Sequence, residues 1–224
     1  MDFFEQINEY LLADGAFGTI MGGLGVTLRI SILALLLGTG LGALVCFGRM
    51  CKFKAIRFIT GVYIAILRGT PVLMLLLLMY YVILAKTPLE SVTIAVITFG
   101  LNTSAYVAEL LRSALTAADK GQAEAARTLG FSRLSAFCLV TMPQALTIAK
   151  PVYQSTIVNL IQWTSVVGYI TITDLTRVIN NFSARTMQPV FMIVAGMLIY
   201  LAVSYIVYGV FAVSDKISLR RRSE

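Results

Sequence analysis

Histidine is absent from the 224 residues of this sequence, and charged side chains make up only 13% of it. Without histidine the chain has no imidazole to bind a metal ion or to act as a general base. Soluble domains usually carry about 25% charged residues, whereas this chain is 58% hydrophobic. This balance predicts a protein that crosses a membrane several times.

The sequence also lacks the usual signatures of catalysis and nucleotide binding. It contains no Gly-x-x-x-x-Gly-Lys-Ser/Thr run to cradle a phosphate group. It offers no constellation of a nucleophile with a base and no carboxylate pair suited to acid–base chemistry. The three cysteines, Cys46, Cys51 and Cys138, have no metal-ligand spacing and are expected to be reduced thiols. We therefore expect neither an enzyme nor a bound cofactor or metal.

The net charge of +7 is spread along the chain at the ends of apolar stretches. This placement argues against nucleic-acid binding and follows the rule that basic residues mark cytoplasmic loops. Residues 1–20 contain four acids and no Lys or Arg, so the N-terminus is predicted to lie outside and the C-terminus in the cytoplasm. The basic residues form three groups: Arg49, Lys52, Lys54 and Arg57; Arg112, Lys120, Arg127 and Arg133; and Lys216, Arg220, Arg221 and Arg222.

Apolar stretches of about 20 residues, the length that crosses a bilayer as a helix, predict an all-α membrane bundle with five transmembrane helices. An odd number agrees with termini on opposite sides. The first span is rich in glycine, which predicts close helix packing in lipid. The second is interrupted at Arg68-Gly-Thr-Pro71, where the proline is expected to kink the helix. The predicted spans cover residues 22–47, 58–84, 92–115, 148–172 and 189–213.

Residues 1–14 have the pattern of a short amphipathic helix. Phe3, Phe4, Ile7 and Leu11 fall on one helical face, with polar residues on the other. This pattern predicts an interfacial helix on the outer membrane surface, and a frayed terminus is the alternative. The stretch lacks the positive region and the cleavage site of a signal peptide.

A polar, alanine-rich stretch over residues 121–143 interrupts the apolar pattern. Residues 124–129 have the composition of a short helix, and Gly130 suits its C-terminal end, where a left-handed residue is often needed. Ser132 is placed to cap a second helix that starts at Arg133. By composition alone, this stretch fits either a docking surface at the membrane boundary or a generic cytoplasmic hairpin.

A set of short motifs runs along nearly the whole chain. It comprises Gly22, Gly25, Thr27-Leu28, Arg68-Gly-Thr-Pro71-Val-Leu73, Tyr106-Val-Ala-Glu109, Arg112, Gly121-Gln122, Glu124-Ala125, Leu129-Gly130, Phe137, Pro143-Gln-Ala145, Asp174-Leu175, Gln188-Pro189 and Tyr200-Leu201. In order and spacing these motifs resemble those of permease subunits from ABC importers of polar amino acids, the histidine, glutamine, arginine and cystine branch. The part around Glu124-Ala125 resembles the EAA loop of that family.

The resemblance implies a single permease domain over residues 1–224, with the transmembrane fold of type I ABC importers, in the inner membrane. Such a permease translocates polar amino acids that an extracytoplasmic solute-binding protein delivers. It works with a second permease, identical or homologous, and with a dimer of cytoplasmic ABC ATPases. Residues 116–145 would form the ATPase-coupling segment, and the resemblance assigns this coupling to Gly121, Glu124, Ala125, Leu129, Gly130 and Pro143.

Polar side chains within the predicted spans are candidates for the substrate pathway, because such side chains usually face a cavity or another helix. They are Arg68, Asn102, Tyr106, Gln162, Trp163, Thr164 and Ser165. Gln162 and Ser165 are three residues apart and share a helix face. Their amide and hydroxyl could hydrogen-bond a zwitterion.

Charged side chains in the spans also have structural explanations. Arg68 could satisfy free carbonyls around the kink at Pro71 instead of lining a pathway. Glu109 and Arg112 lie one turn apart and are expected to pair with each other rather than to bind a ligand.

Three departures from the family pattern bear on the substrate. Leu75 replaces a common glutamine, Ser155 replaces a common asparagine, and Gln162-Trp163 replaces a lysine–aspartate pair. An acidic side chain in the fourth span could have paired with a ligand amino group, so the resemblance does not carry over the identity of the amino acid. The choice between identical and different permeases is also open.

A function of a different class is a membrane scaffold or sensor that docks an ABC ATPase without transporting anything. The interrupted second span and the polar fourth span favour transport, because a scaffold needs no kinked, polar interior.

Overall fold

The computed structural model describes residues 16–223, with side chains as far as residue 214 and at Lys216, and its regular elements are all helical. The described chain forms nine α-helices: α1 (Ala16–Met50), α2 (Lys54–Gly69), α3 (Val72–Leu78), α4 (Ser91–Ala117), α5 (Lys120–Thr128), α6 (Arg133–Ala136), α7 (Met142–Trp163), α8 (Leu175–Thr186) and α9 (Pro189–Ser223). It also forms two π-helical turns, Met79–Ile83 and Phe137–Thr141, and a 3₁₀-helix, Thr164–Ile170. The all-α prediction is confirmed. The interfacial helix predicted for residues 1–14 lies outside the described residues.

Three helices of the described chain are long and apolar enough to cross a membrane: α1, α4 and the part of α9 over Pro189–Ser214. The pair formed by α2 and Val72–Ile83 supplies a fourth if the two together make one broken span. Helix α7, which starts the predicted fourth span, is not among these candidates. The five-span arrangement therefore stays a prediction.

The interruption predicted at Arg68-Gly-Thr-Pro71 is present between α2 and α3. Pro71 has no backbone N–H to continue the helix, and it disfavours helical backbone at the residue before it. Thr70 accordingly has an extended backbone, with φ −105° and ψ 134°. The Thr70 hydroxyl donates to the carbonyl of Ile66 at 2.8 Å. Arg68 is thereby placed in the last turn of α2.

The chain divides into two compact units. Of the described residues, the terminal unit contains 16–34, 72–99 and 157–223, and the central unit contains 35–71 and 100–156. A core cluster of the terminal unit consists of Ile20, Leu175, Val178, Ile179, Phe191 and Met192. A core cluster of the central unit consists of Leu110, Ala114, Ala145 and Ala149.

Two glycines of α1 let this helix approach α4 closely within the central unit. A Cβ atom added at Gly38 would lie 2.7 Å from the Cβ of Thr103, and one added at Gly42 would lie 2.7 Å from the Cβ of Val107. Gly40, on another side of the helix, has open space around it. The close packing predicted from the glycine-rich first span is therefore present.

Candidate functional site

The polar segment between α4 and α7 begins with a capped helix. Asp119 is the N-cap of α5, and its carboxylate accepts the backbone N–H of Gly121 at 2.8 Å. Gln144, in the first turn of α7, also hydrogen-bonds to the start of α5. Its Oε1 accepts the backbone N–H of Asp119 at 3.2 Å, and its Nε2 donates to Oε1 of Gln122 at 2.7 Å. One side chain therefore ties the start of α5 to the start of α7.

Helix α5 ends in a Schellman motif at Gly130. The N–H of Phe131 donates to the carbonyl of Ala126, and the N–H of Gly130 donates to the carbonyl of Arg127, both at 3.1 Å. Gly130 has φ +93°, which side chains with a Cβ atom rarely adopt. The space around Gly130 is open, so the backbone conformation, and not crowding, favours glycine. The predicted short helix and its left-handed end are confirmed.

A second helix follows, and Ser132 caps it as predicted. Ser132 Oγ accepts the N–H of Ser135 at 3.0 Å, and α6 begins at Arg133. The π-helical turn Phe137–Thr141 then leads directly into α7, whose second residue is Pro143. Proline has no N–H to donate and clashes with the carbonyl one turn earlier in a regular α-helix. The wider π turn accommodates it.

The surface of this segment combines polar side chains with exposed leucines. Leu129 is 79% exposed and Leu134 is 72% exposed. Exposed apolar side chains beside charged ones are typical of a surface that another protein covers. All six residues predicted to couple to the ATPase are exposed: Gly121, Glu124, Ala125, Leu129, Gly130 and Pro143. Leu134 is not part of the family motifs. Its position as the second residue of the short helix α6, next to the cap at Ser132, was the available signal for exposure.

A cavity of about 340 Å³ in the central unit contains two predicted pathway residues, Arg68 and Tyr106. The guanidinium carbon of Arg68 lies 5.1 Å from the ring centroid of Tyr106, within the range of a cation–π contact. The cavity is lined by Arg68, Tyr106, Glu109, Leu110, Ser113, Ala114, Ala117, Ile148, Val152 and Thr156. Arg68 therefore faces a cavity as well as standing beside the break at Pro71.

Glu109 lines the same cavity and forms the predicted ion pair with Arg112. The Nε of Arg112 donates to both carboxylate oxygens, at 3.1 and 3.0 Å, and its Nη2 also donates to Oε1. Such forked hydrogen bonds between ionised groups are stronger than neutral ones. They satisfy both charges within a helix that contains no other charged residue.

Asn102 is enclosed by the protein. It is 2% exposed, and its Oδ1 has no hydrogen-bond partner within the described residues. It precedes Tyr106 by one turn of α4 but does not line the central cavity. Asn102 is therefore not part of the cavity that Arg68 and Tyr106 line.

A cavity of about 350 Å³ in the terminal unit is lined by residues of α7, α8 and α9. Its lining consists of Gln162, Thr176, Asn180, Tyr200 and Ser204, which are polar, and Ile179, Ile193, Gly196, Met197 and Leu201, which are not. A further cavity of about 300 Å³ is lined by Ser165, Gly168, Tyr169, Thr176, Arg177 and Asn180. Thr176 and Asn180 line both.

Of the four polar residues predicted around the end of α7, Gln162 and Ser165 line these cavities, whereas Trp163 and Thr164 do not. Thr164 is completely buried, and its hydroxyl donates to the carbonyl of Ile161 at 2.7 Å. The helix becomes a 3₁₀-helix at Thr164, in which residues three apart eclipse each other. Gln162 and Ser165, which are predicted to share a face, line two different cavities that have Thr176 and Asn180 in common.

Asp174 caps α8, the helix that carries Thr176 and Asn180 of the terminal cavity. Its fully buried carboxylate caps α8 by accepting the N–H of Thr176 at 3.0 Å and that of Arg177 at 3.1 Å. The hydroxyls of Thr176 and Tyr200 are hydrogen-bonded to each other at 2.9 Å. Burial raises the pKa of Asp174, and the hydrogen bonds from the Arg177 and Thr176 backbone oppose that rise.

Four polar residues of the larger terminal cavity, Thr176, Asn180, Tyr200 and Ser204, are not among the predicted pathway residues. The available signal was the spacing of Thr176 and Asn180, four residues apart on one face of a helix that starts after Asp174. Tyr200 belongs to the family motif Tyr200-Leu201, but the motif did not indicate a cavity, because an aromatic residue in an apolar span most often packs against its neighbours.

Comparison with known proteins gives relatives along most of the chain. Residues 34–217 match the family described as binding-protein-dependent transport system inner membrane component. The chain is 33% identical over 201 residues to the probable amino-acid ABC transporter permease protein YckA of Bacillus subtilis (strain 168), covering 89% of each chain. It is 31% identical over 175 residues to the L-cystine transport system permease protein TcyB of the same organism, covering 78% of this chain and 75% of the relative. It is 29% identical over 227 residues to the histidine/lysine/arginine/ornithine transport system permease protein HisM of Escherichia coli (strain K12), covering 95% and 94%.

Solved structures share the fold. A chain of an amino acid ABC transporter crystallised with histidines superposes with a TM-score of 0.83 at 27% identity, covering 96% of this chain and 98% of that one. A chain of the MetNI methionine ABC transporter in an inward-facing conformation superposes with a TM-score of 0.73 at 18% identity, covering 92% and 97%. At that identity the second likeness shows the fold alone. The predicted fold class, the transmembrane fold of an ABC importer, is confirmed.

Proposed function

Because the chain belongs to the family of binding-protein-dependent transport system inner membrane components, we propose that it carries polar amino acids across the membrane. It is a permease subunit of an ABC importer and not an enzyme. Membership of the family implies an ATPase partner and a second permease. The apolar helices of membrane-crossing length fit a multi-pass protein of the inner membrane.

The proposal of an amino acid substrate has two supports. YckA, TcyB and HisM are named as permeases for amino acids or for particular amino acids. The cavity of the central unit and the larger cavity of the terminal unit also contain groups that hydrogen-bond a zwitterion: a guanidinium in the first, and two side-chain amides in the second.

Delivery by an extracytoplasmic solute-binding protein is part of the proposal. It is supported by the family description. The orientation follows from the charges: an acidic N-terminal stretch outside, and basic loops with a basic C-terminus in the cytoplasm. The single permease domain over residues 1–224 then carries five spans, with residues 1–14 at the outer surface.

We propose residues 116–145 as the surface that docks the ATPase. The observation that carries this assignment is the construction of α5, which is held at its start by Gln144 and closed at its end by Gly130. A short helix that is fixed at both ends resists fraying, so it can pass movement of the ATPase on to the transmembrane helices. ATP-driven closure of the ATPases would then move this segment, and the pathway would alternate between outward and inward access.

The proposed pathway includes Arg68 and Tyr106 in the central unit and Gln162 and Ser165 in the terminal unit. None of the described cavities is lined by Asn102, Trp163 or Thr164. Their proposed role is therefore to support the pathway without contacting the substrate. Alanine at Gln162 or Ser165 should change the apparent affinity or selectivity of uptake. Alanine at Trp163 should instead lower the rate or the assembly of the transporter.

The test is reconstitution of the permease with its ATPase and binding protein in liposomes that contain ATP. Uptake of labelled amino acids should require ATP inside the liposomes, and a non-hydrolysable ATP analogue is the control. Stable association of the ATPase without uptake of any amino acid would contradict the proposal and favour the scaffold or sensor.

A further inference from the structure

The cavity of the terminal unit contains no charged side chain among its ten lining residues, all of which belong to the described part of the chain. Asp174 caps the helix of Thr176, but it is fully buried and does not line the cavity. Its carboxylate is already used by the N–H groups that it caps. Arg177 lines the neighbouring cavity, where its guanidinium donates to the carbonyl of Gly168 at 2.8 Å. A ligand in the larger cavity therefore meets neutral groups.

Most of the polar groups in this lining are already paired within the protein. The hydroxyls of Thr176 and Tyr200 bond each other, and the hydroxyl of Ser204 donates to the carbonyl of Tyr200 at 2.9 Å. Gln162 and Asn180 remain exposed, and their side chains have no hydrogen bond to another described residue. Each free amide offers a donor and an acceptor, so these two groups are available to a ligand.

From this lining we infer that the terminal cavity selects amino acids with uncharged polar side chains, and that Gln162 and Asn180 determine this selectivity. The inference rests on the proposed function, since it names the substrate class of the same transporter. The α-ammonium and α-carboxylate are common to all amino acids and so do not discriminate among them, whereas a side-chain ammonium or guanidinium that leaves water without a countercharge adds a further loss of solvation energy. A side-chain amide or hydroxyl loses less and is compensated by hydrogen bonds to Gln162 and Asn180. The cavity therefore favours glutamine over arginine.

The test measures binding of labelled L-glutamine and L-arginine to the purified permease–ATPase complex without the solute-binding protein. Omitting that protein removes its own selectivity from the measurement. Wild type should bind glutamine about tenfold more tightly than arginine, because the cationic side chain is partly desolvated beside neutral groups and has no partner there. A factor of ten corresponds to about 1.4 kcal/mol.

Two substitutions add a carboxylate with almost no change in shape: Gln162→Glu and Asn180→Asp. Each should shift the ratio of arginine to glutamine affinity by about tenfold or more toward arginine, as expected for a close charge pair. Asn181→Asp is the matched control. Asn181 is the next residue of α8, is exposed, and does not line the cavity. Its substitution should leave the ratio unchanged.

Alanine variants give a second measurement that does not depend on tolerance of a new charge. Gln162→Ala and Asn180→Ala should weaken glutamine binding and should not strengthen arginine binding. Alanine variants that bind glutamine like wild type would overturn the inference, even if the acidic variants fail to assemble with the ATPase.

Other outcomes separate this inference from the proposed function. Equal binding of arginine and glutamine by wild type would overturn the selectivity and leave an amino acid transporter. The same would follow from an unchanged ratio in both acidic variants, or from an equal shift in Asn181→Asp. A wild-type complex that neither binds nor transports any amino acid would overturn the proposed function together with the inference.

Discussion

The side-chain amide of Gln144 donates a hydrogen bond to Oε1 of Gln122 at 2.7 Å, across 22 positions of the sequence. The same amide accepts the backbone N–H of Asp119 through its oxygen. Both the nitrogen and the oxygen of the Gln144 amide are therefore hydrogen-bonded, and the two bonds hold the start of α5 against the start of α7. The proposed docking surface thus depends on a residue that follows Pro143 as well as on residues of α5.

Gln144→Ala should loosen this surface without preventing folding of the spans. Two hydrogen bonds of about 0.5–1.5 kcal/mol each are lost, and the Asp119 N–H must find water. We expect severalfold lower ATP hydrolysis in response to substrate, with normal amounts of permease in the membrane. Gln188→Ala, which removes another glutamine adjacent to a proline, is the control. Wild-type stimulation of ATP hydrolysis by substrate in the Gln144 variant would show that its two hydrogen bonds are dispensable.

Substitutions at Gly130 should act through the backbone. The φ of +93° penalises any residue with a Cβ atom, by about 1–2 kcal/mol for most residues. Asparagine tolerates positive φ better than alanine, so coupling should fall in the order glycine, asparagine, alanine. Gly130→Asp adds a charge to the docking surface and should lose ATPase association while inserting normally. Co-purification of the ATPase with each variant measures this, and equal recovery with all four residues would argue against docking here.

The glycines of α1 should differ in their tolerance of alanine. At Gly42 the new Cβ would meet Val107 at 2.7 Å, so Gly42→Ala should destabilise the permease by about 1–3 kcal/mol through overpacking. Gly40→Ala meets open space and should be neutral or slightly stabilising. Thermal unfolding of the purified protein in detergent compares the two. Equal unfolding temperatures would contradict the close approach of α1 and α4.

Single cysteines in a background without Cys46, Cys51 and Cys138 test the orientation. Labels that do not cross the membrane should reach cysteines near Gly15 and at Asn181 from outside. A cysteine at Lys52 should be labelled only after permeabilisation, because the basic loops are predicted to be cytoplasmic. Labelling at Lys52 in intact cells would overturn the five-span arrangement.

Asp174 should make stability depend on pH. Because burial raises the pKa of Asp174, the folded protein holds this proton more tightly than the unfolded chain does. The stabilisation is fully present below the unfolded pKa and is lost as the pH rises through the raised folded pKa. Asp174→Asn keeps an oxygen for one of the two N–H groups of α8, remains a good N-cap residue and does not titrate. Thermal unfolding between about pH 4 and pH 7 should therefore decline more in wild type than in Asp174→Asn, and the opposite trend would refute the assignment.

Local backbone chemistry made several features predictable from the sequence alone. The break at Pro71, the left-handed end of α5 at Gly130 and the cap at Ser132 each follow from the dihedral angles or hydrogen bonds that one residue type allows. The ion pair of Glu109 with Arg112 is equally local, because residues three apart on a helix are neighbours. The apolar stretches of about 20 residues similarly made a helical membrane protein predictable.

Only the tertiary structure decided which polar side chains share a cavity. Helical spacing indicates that Gln162 and Ser165 share a face, but not that Thr176 and Asn180 of α8 lie opposite them. It also gives Asn102 and Tyr106 the same face, yet Asn102 is enclosed and Tyr106 lines a cavity. The hydrogen bond between Gln122 and Gln144 forms only because α5 and α7 lie next to each other in the folded protein. Burial depends on the neighbouring helices that cover each face, and residues far away in the sequence supply those neighbours.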